Sequence, residues 1–148
     1  MVQGNIAHNS AFNFYFLNVG FNGSGELSIT NSGTVSASAE TQVGRTNGSL
    51  GILTIGSSGQ LSGTGLAIVA RESGSQGSVT VTVISSTWSL ASTLTIGREG
   101  TGELTISNGG AVSNTLGDIG SLIGGVGAVD VDGSGSVWTV NGSLTVGN

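Results

Sequence analysis

The sequence contains no cysteine, no proline and no lysine, and each absence narrows the kinds of protein it can encode. Without cysteine there are no disulfides and no thiolate chemistry. The three cations, all arginine, are too few to neutralise a row of phosphates, which excludes a nucleic-acid partner. No run approaches the ~18 apolar residues of a transmembrane helix, so membrane insertion is not expected.

Charge is scarce as well: 7% of the residues are charged, and the net charge is −5. Glycine accounts for 28 of the 148 residues, a content that without further order is typical of a disordered linker. Yet 36% of the residues are hydrophobic, and they recur at regular intervals. We therefore expect the chain to fold, and its length fits one domain over residues 1–148.

The sequence repeats with a period of about 25 residues, which is typical of stacked repeat proteins. Residues 23–36 (GSGELSITNSGTVS) return at 100–113 as GTGELTISNGGAVS. Three apolar markers share the period. The first opens an apolar-x-apolar triplet at Leu27, Leu53, Val79, Leu104 and Val129. The second lies at Val35, Leu61, Trp88, Val112 and Trp138, and the third, which precedes a small residue, at Val19, Val43, Val69, Ile96, Ile119 and Val146.

Each unit thus holds three short alternating runs separated by glycine, serine, threonine and asparagine, the pattern of strands and turns. Three strands that recur at a fixed period predict a coil stacked on itself, which is a parallel β-helix, or β-solenoid. We expect about six coils, starting near residues 2, 27, 53, 79, 104 and 129. The expected winding is right-handed, as in other parallel crossovers.

Both ends of such a coil expose strand edges and core, and no amphipathic capping helix is visible in the sequence. Aromatic residues concentrate in the first coil, where consecutive rings at 14, 15 and 16 force at least one ring outward. These rings either plug the first coil or dock onto a partner. The docking hypothesis predicts a head-to-tail interface formed by Phe12, Phe14, Tyr15, Phe16, Leu144 and Val146.

Arg45, Arg71 and Arg98 each follow the third marker by two residues, so they should form a ladder on three successive coils. Glu72 and Glu99 directly follow two of them and are the expected partners in an ion-pair ladder. Exposed pairs of this kind stabilise a protein by only about 0–1 kcal/mol. The alternative is a site for a small anion or an acidic sugar.

Other chemistry has weaker support in the sequence. Asp130 and Asp132 resemble part of a calcium loop, but alternation places both on the outer face and the loop's glutamate is missing. Outward threonines suggest an ice-binding array, which these aspartates interrupt. The other acids are scattered and His8 has no evident partner, so we expect no enzyme and no catalytic residue, metal site or cofactor.

Two segments, residues 100–113 quoted above and 127–148 (GAVDVDGSGSVWTVNGSLTVGN), resemble the repeats of bacterial autotransporter passengers. The same repeat is shared by type V secreted proteins and by proteins with a PEP-CTERM sorting signal. The resemblance is good over 86–148, fair over 17–36 and weak over 37–85. It implies a right-handed parallel β-helix that is exported to the cell surface or beyond as a stalk, adhesin or matrix component.

The predicted function is that of an extracellular structural protein, a β-solenoid subunit that stacks head to tail into a filament or surface matrix. Its expected partner is another copy of itself or a longer parent chain. The alternative is a passenger fragment of an autotransporter-like adhesin that binds surface glycans or a host receptor. An ice-binding protein and a polysaccharide-active enzyme rank below both.

Overall fold

The computed structural model describes residues 2–6 and 10–147, with side chains from residue 10 onward. The alternating runs form strands, the glycine- and serine-rich segments form turns, and none of these described residues is helical. Accordingly, this part of the chain offers no helix that could cross a membrane. The strands are β1 (Val2–Ile6), β2 (Ala11–Val19), β3 (Ser24–Ile29), β4 (Thr34–Val43), β5 (Leu50–Ile55), β6 (Gln60–Gly63), β7 (Leu66–Val69), β8 (Gln76–Thr82), β9 (Thr87–Leu90), β10 (Thr93–Ile96), β11 (Thr101–Ser107), β12 (Ala111–Asn114), β13 (Leu116–Ile119), β14 (Val126–Asp132), β15 (Val137–Val140) and β16 (Leu144–Val146).

Strands of successive repeats lie side by side and pair in parallel, in the register that the period predicts. The first sheet has the order β1-β3-β5-β8-β11-β14, with one strand from each of six successive coils. We call each of these coils a rung. Two further stacks hold β6, β9, β12 and β15, and β7, β10, β13 and β16. The described chain is a parallel β-solenoid of about five turns, counted from the first rung to the sixth. This confirms the predicted fold class. Its right-handedness stays a prediction.

The first two rungs differ from the later ones because their second and third runs join without a break. The first half of β4 pairs with β6 and its second half with β7, so one strand serves two stacks. β2 pairs with β4 in the same way, except for a register shift between Phe14 and Phe16. The three short strands predicted for each coil are therefore two strands in these rungs, and β4 has one extra residue, Ser38 or Ala39, opposite Tyr15.

A sharp corner follows the third run of each rung, at a residue with positive φ. These residues are Gly20, Gly44, Ala70, Gly97, Gly120 and Gly147. Gly44 illustrates why glycine is favoured here: its φ is +73°, and a Cβ would lie 2.0 Å from the carbonyl oxygen of Gln76. The tight corner therefore depends both on backbone conformation and on the close approach of β8, two rungs ahead.

The inward side chains of the three stacks fill one continuous apolar core. Along β5, Leu53 and Ile55 are fully buried, while Thr54 between them faces outward. Each aliphatic side chain buried in this way stabilises the fold by about 1.5–3 kcal/mol. The core also holds an amide: Asn114 Oδ1 accepts a hydrogen bond from Trp138 Nε1 at 2.6 Å, which links the fifth rung to the sixth.

Candidate functional site

The last rung, formed by β14, β15 and β16, is open on its outer side. Each of these strands pairs with one neighbour only among the residues that the structure describes. Inward side chains that earlier rungs bury are accordingly exposed here: Val131 by 44%, Leu144 by 47% and Val146 by 68%. Trp138 packs half-buried against the core. This end thus presents an apolar surface bordered by three unpaired strand edges.

The first rung is open in the opposite direction. Phe12 and Phe14 pair with inward residues of β4, and their rings stack with centroids 6.4 Å apart. They are nevertheless 45% and 38% exposed, since no described rung covers them. Tyr15 and Phe16 lie at the register shift and are more exposed still, so the expected outward-facing ring is confirmed.

The six residues of the predicted head-to-tail interface therefore divide into two groups. Phe12, Phe14, Leu144 and Val146 occupy inward positions of the two end rungs. Phe16 pairs with the outward Glu40, and Tyr15 lies opposite the bulge that Ser38 and Ala39 form in β4. The first group therefore belongs to the core of the two end rungs, whereas the second lies outside the core. The interface itself stays a prediction.

Gly120 lies beside a space that a further rung would fill. At the equivalent corners of three earlier rungs, a Cβ would come within 2.4 Å of a carbonyl oxygen two rungs ahead; those glycines are Gly20, Gly44 and Gly97. At Gly120 the nearest heavy atom to such a Cβ is 3.4 Å away. Among the described residues, no strand therefore approaches Gly120 as β5, β8 and β14 approach the earlier corner glycines.

The three arginines lie on successive rungs, as predicted: the Arg98 backbone N–H, for example, donates to the carbonyl of Ala70 at 2.9 Å. Their side chains make different contacts. The Arg45 guanidinium lies 4.4 Å from the centroid of the Phe21 ring. Arg71 Nη1 donates to Glu40 Oε1 at 3.1 Å. The Arg98 side chain has no hydrogen bond or ion pair with any described residue.

The prediction that Glu72 and Glu99 are the ion-pair partners is wrong. Neither forms an ion pair within 4.0 Å in the described part of the chain, and Arg71 pairs with Glu40 instead. Both glutamates lie in the bends that follow β7 and β10, where strand alternation does not set the direction of a side chain. Glu40 lies on the previous rung, 31 residues away in sequence, and spacing along the chain gave no signal for it.

Arg71 and Arg98 border a groove along the outer face of β7, β10 and β13. Its volume is ≈ 680 Å³, and its lining includes Leu66, Ile68, Thr93, Thr95 and Asp118. Ile68 and Thr95 face outward yet are only 4% and 7% exposed, so the floor is recessed. The sequence pattern predicted the arginine ladder but not the groove, because the lining of the groove comes from strands in several rungs.

The other candidate residues do not converge into a site. Asp130 and Asp132 lie outward and exposed on β14. Among the described residues, no three His, Asp or Glu side chains are placed to hold a metal ion. Asp130 ends the outward row formed by Thr54, Thr80 and Thr105. His8 lies outside the described residues.

The described residues define the fold class, which is a parallel β-solenoid with a recessed groove on one outer face. Comparison of the chain with family models, with curated proteins and with solved structures gives no significant match.

Proposed function

We propose that this protein is an extracellular structural β-solenoid whose copies stack head to tail into a filament or surface matrix. The observation that carries the proposal is the open last rung, where Leu144 and Val146 are exposed at positions that earlier rungs bury. Unpaired strand edges beside exposed apolar side chains favour pairing with another chain.

The two ends are complementary in register. All strands run parallel, so the first rung of one copy can continue the stack on the last rung of another, about 4.8 Å away. If the stack continues in register, Phe12 and Phe14 of one copy would cover Trp138 and Val140 of the other. Leu17 and Val19 would likewise cover the last run of the sixth rung. Because this contact is heterologous and adds one copy at a time without closing, its product is a filament.

Charge is compatible with this contact. Residues 1–20 contain no acidic residue and no arginine, whereas the last rung carries Asp130 and Asp132 on its outer face. An acidic end therefore meets an end without acids, and like-charge repulsion does not oppose the approach.

The alternative is that the last rung is covered by further chain in a longer adhesin passenger. Two observations support this alternative: the same open rung and the resemblance to autotransporter repeats. In that case the purified chain should stay dispersed at every concentration, and any filament would come from the longer protein.

Sedimentation velocity over a range of concentrations, followed by negative-stain electron microscopy, tests the proposal. We expect assemblies that grow with concentration and appear as unbranched rods. The double substitution Leu144→Glu and Val146→Glu should abolish them, because two charges would be buried unpaired at the contact.

Thr145→Glu is the matched control, since Thr145 lies between these residues on β16 but pairs with the outward Asp118. It should leave the rods intact. Likewise Phe14→Asp should shorten them more than Tyr15→Asp, because only Phe14 occupies an inward position. Dispersed monomers at all concentrations, or equal loss of assembly in Thr145→Glu, would contradict head-to-tail stacking.

A further inference from the structure

The groove beside the arginine ladder has the character of a ligand site. Its volume of ≈ 680 Å³ lies within the usual range for small-molecule sites, roughly 300–1,000 Å³. It combines an aliphatic floor at Leu66 and Ile68 with hydroxyl groups at Thr93 and Thr95. Such a surface offers both apolar contact and hydrogen bonds to a ligand that is itself amphipathic.

The arginines differ in how far their charge is already satisfied. Arg45 lies over the Phe21 ring, and Arg71 is paired with Glu40, with the two side chains 28% and 17% exposed. Arg98 is the ladder member whose guanidinium has no side-chain partner among the described residues. Arg98 therefore brings to the groove a guanidinium that no described side chain pairs, and the groove's lining does not include Arg45.

The backbone of Arg98 forms hydrogen bonds to the rungs on both sides, and these bonds fix the position from which its side chain extends. Its N–H donates to Ala70 at 2.9 Å, and its carbonyl accepts from Leu122 N–H at 3.0 Å. A guanidinium is a planar fork that matches a carboxylate with two parallel hydrogen bonds. The ligand group that suits Arg98 is accordingly a carboxylate.

Asp118 restricts which carboxylate ligands fit. It also lines the groove and forms no ion pair or hydrogen bond through its side chain with the described residues. Its carboxylate can only accept hydrogen bonds when ionised, so it favours a ligand with hydroxyl donors and disfavours a dense polyanion. The net charge of −5 disfavours a dense polyanion in the same way.

From these features we propose that the groove binds an acidic saccharide. One uronate carboxylate pairs with Arg98, ring hydroxyls donate to Asp118 and exchange hydrogen bonds with Thr93 and Thr95, and the sugar's C–H faces lie against Leu66 and Ile68. This site lies on an outer face, so it goes beyond end-to-end stacking and does not depend on it.

The experiment titrates a trisaccharide of galacturonic acid into the full chain. Isothermal titration calorimetry gives the affinity, and the ¹⁵N-detected arginine Nε–Hε signals report which guanidinium is contacted. The methyl ester of the same trisaccharide, which keeps the shape and removes the charge, is the matched ligand. We expect the acid to bind at least about tenfold more tightly than the ester and to shift the Arg98 signal.

Three variants locate the contact. Arg98→Gln should weaken binding of the acid at least about tenfold, and Arg98→Lys should weaken it less, because the charge stays and the fork is lost. Arg45→Gln, at the same ladder position but stacked on Phe21, should bind like the unmodified chain. Circular dichroism melts check that each variant is folded. The titration is repeated in the Leu144→Glu/Val146→Glu variant, where binding should persist whether or not copies stack.

Four results would overturn the proposal. One is no binding of the trisaccharide at millimolar concentration. Another is equal weakening by Arg45→Gln and Arg98→Gln, which would indicate diffuse attraction. A third is equal affinity for acetate, which would mean an adventitious anion only. The fourth is tighter binding of a tripeptide with a free carboxyl terminus than of the saccharide.

Discussion

The fifth and sixth rungs have nearly the same pattern of apolar residues, but their inward side chains differ sharply in burial. In β11, Leu104 and Ile106 are fully buried, whereas in β14 the equivalent of Ile106 is Val131, with 44% of its surface exposed. Trp88 in the fourth rung is fully buried, but Trp138 at the same ladder position in the sixth is only partly covered. The strands are alike, and what differs is the number of rungs that flank them.

This difference teaches that an inward position is not by itself a buried one. In a solenoid each rung contacts only its neighbours, so stability is close to a sum of rung and interface terms. A rung with one neighbour has half of those interfaces. Its apolar side chains therefore contribute less to folding and are free to contribute to association.

The largest expected effect comes from replacing a leucine by alanine in the covered fifth rung, compared with the same replacement in the last rung. Leu104→Ala removes a fully buried side chain and should lower the free energy of unfolding by about 3–5 kcal/mol. Leu144→Ala, at an inward position that is 47% exposed, should cost less than about 1.5 kcal/mol. Urea unfolding of dilute chains, followed by circular dichroism, measures both. Equal losses would mean that the last rung is as closed as the fifth.

A smaller effect is expected at the corner glycines. Gly44→Ala should cost about 2–4 kcal/mol, because it combines positive φ with a Cβ placed 2.0 Å from a carbonyl oxygen. Gly147→Ala has the same φ requirement but no atom within 4 Å, so about 1–2 kcal/mol is expected. Thermal melts of the two variants give the comparison. A greater loss at Gly147 than at Gly44 would contradict the role assigned to the neighbouring rungs.

The smallest effect concerns the ion pair that ties the second rung to the third. Glu40→Gln should lower the free energy of unfolding by about 1 kcal/mol at low salt, since the Arg71–Glu40 pair is partly exposed. In about 1 M salt the difference should largely vanish. Glu72→Gln is the control, because Glu72 adjoins Arg71 in sequence without pairing with it. If Glu72→Gln costs as much as Glu40→Gln, the corrected pairing does not hold.

Much of the fold could be predicted from the sequence. The ladder from Leu27 through Leu53 to Val79 pairs residue for residue as the period requires, because in a stacked coil the lateral neighbour is one period away. The candidate site was predicted less well. Arg71 and Arg98 were placed correctly, but the partner of Arg71 and the groove both depend on side chains that reach between rungs.

Period and alternation by themselves determined the coil, its register and the inward set, since each is a property of residues spaced regularly along one chain. Only the tertiary structure decided which arginine is ion-paired, which aromatic rings occupy inward positions and how far Trp138 is covered. Those outcomes depend on side-chain reach, on a one-residue bulge in β4 opposite Tyr15 and on the presence of a neighbouring rung, and none of these is a function of spacing alone.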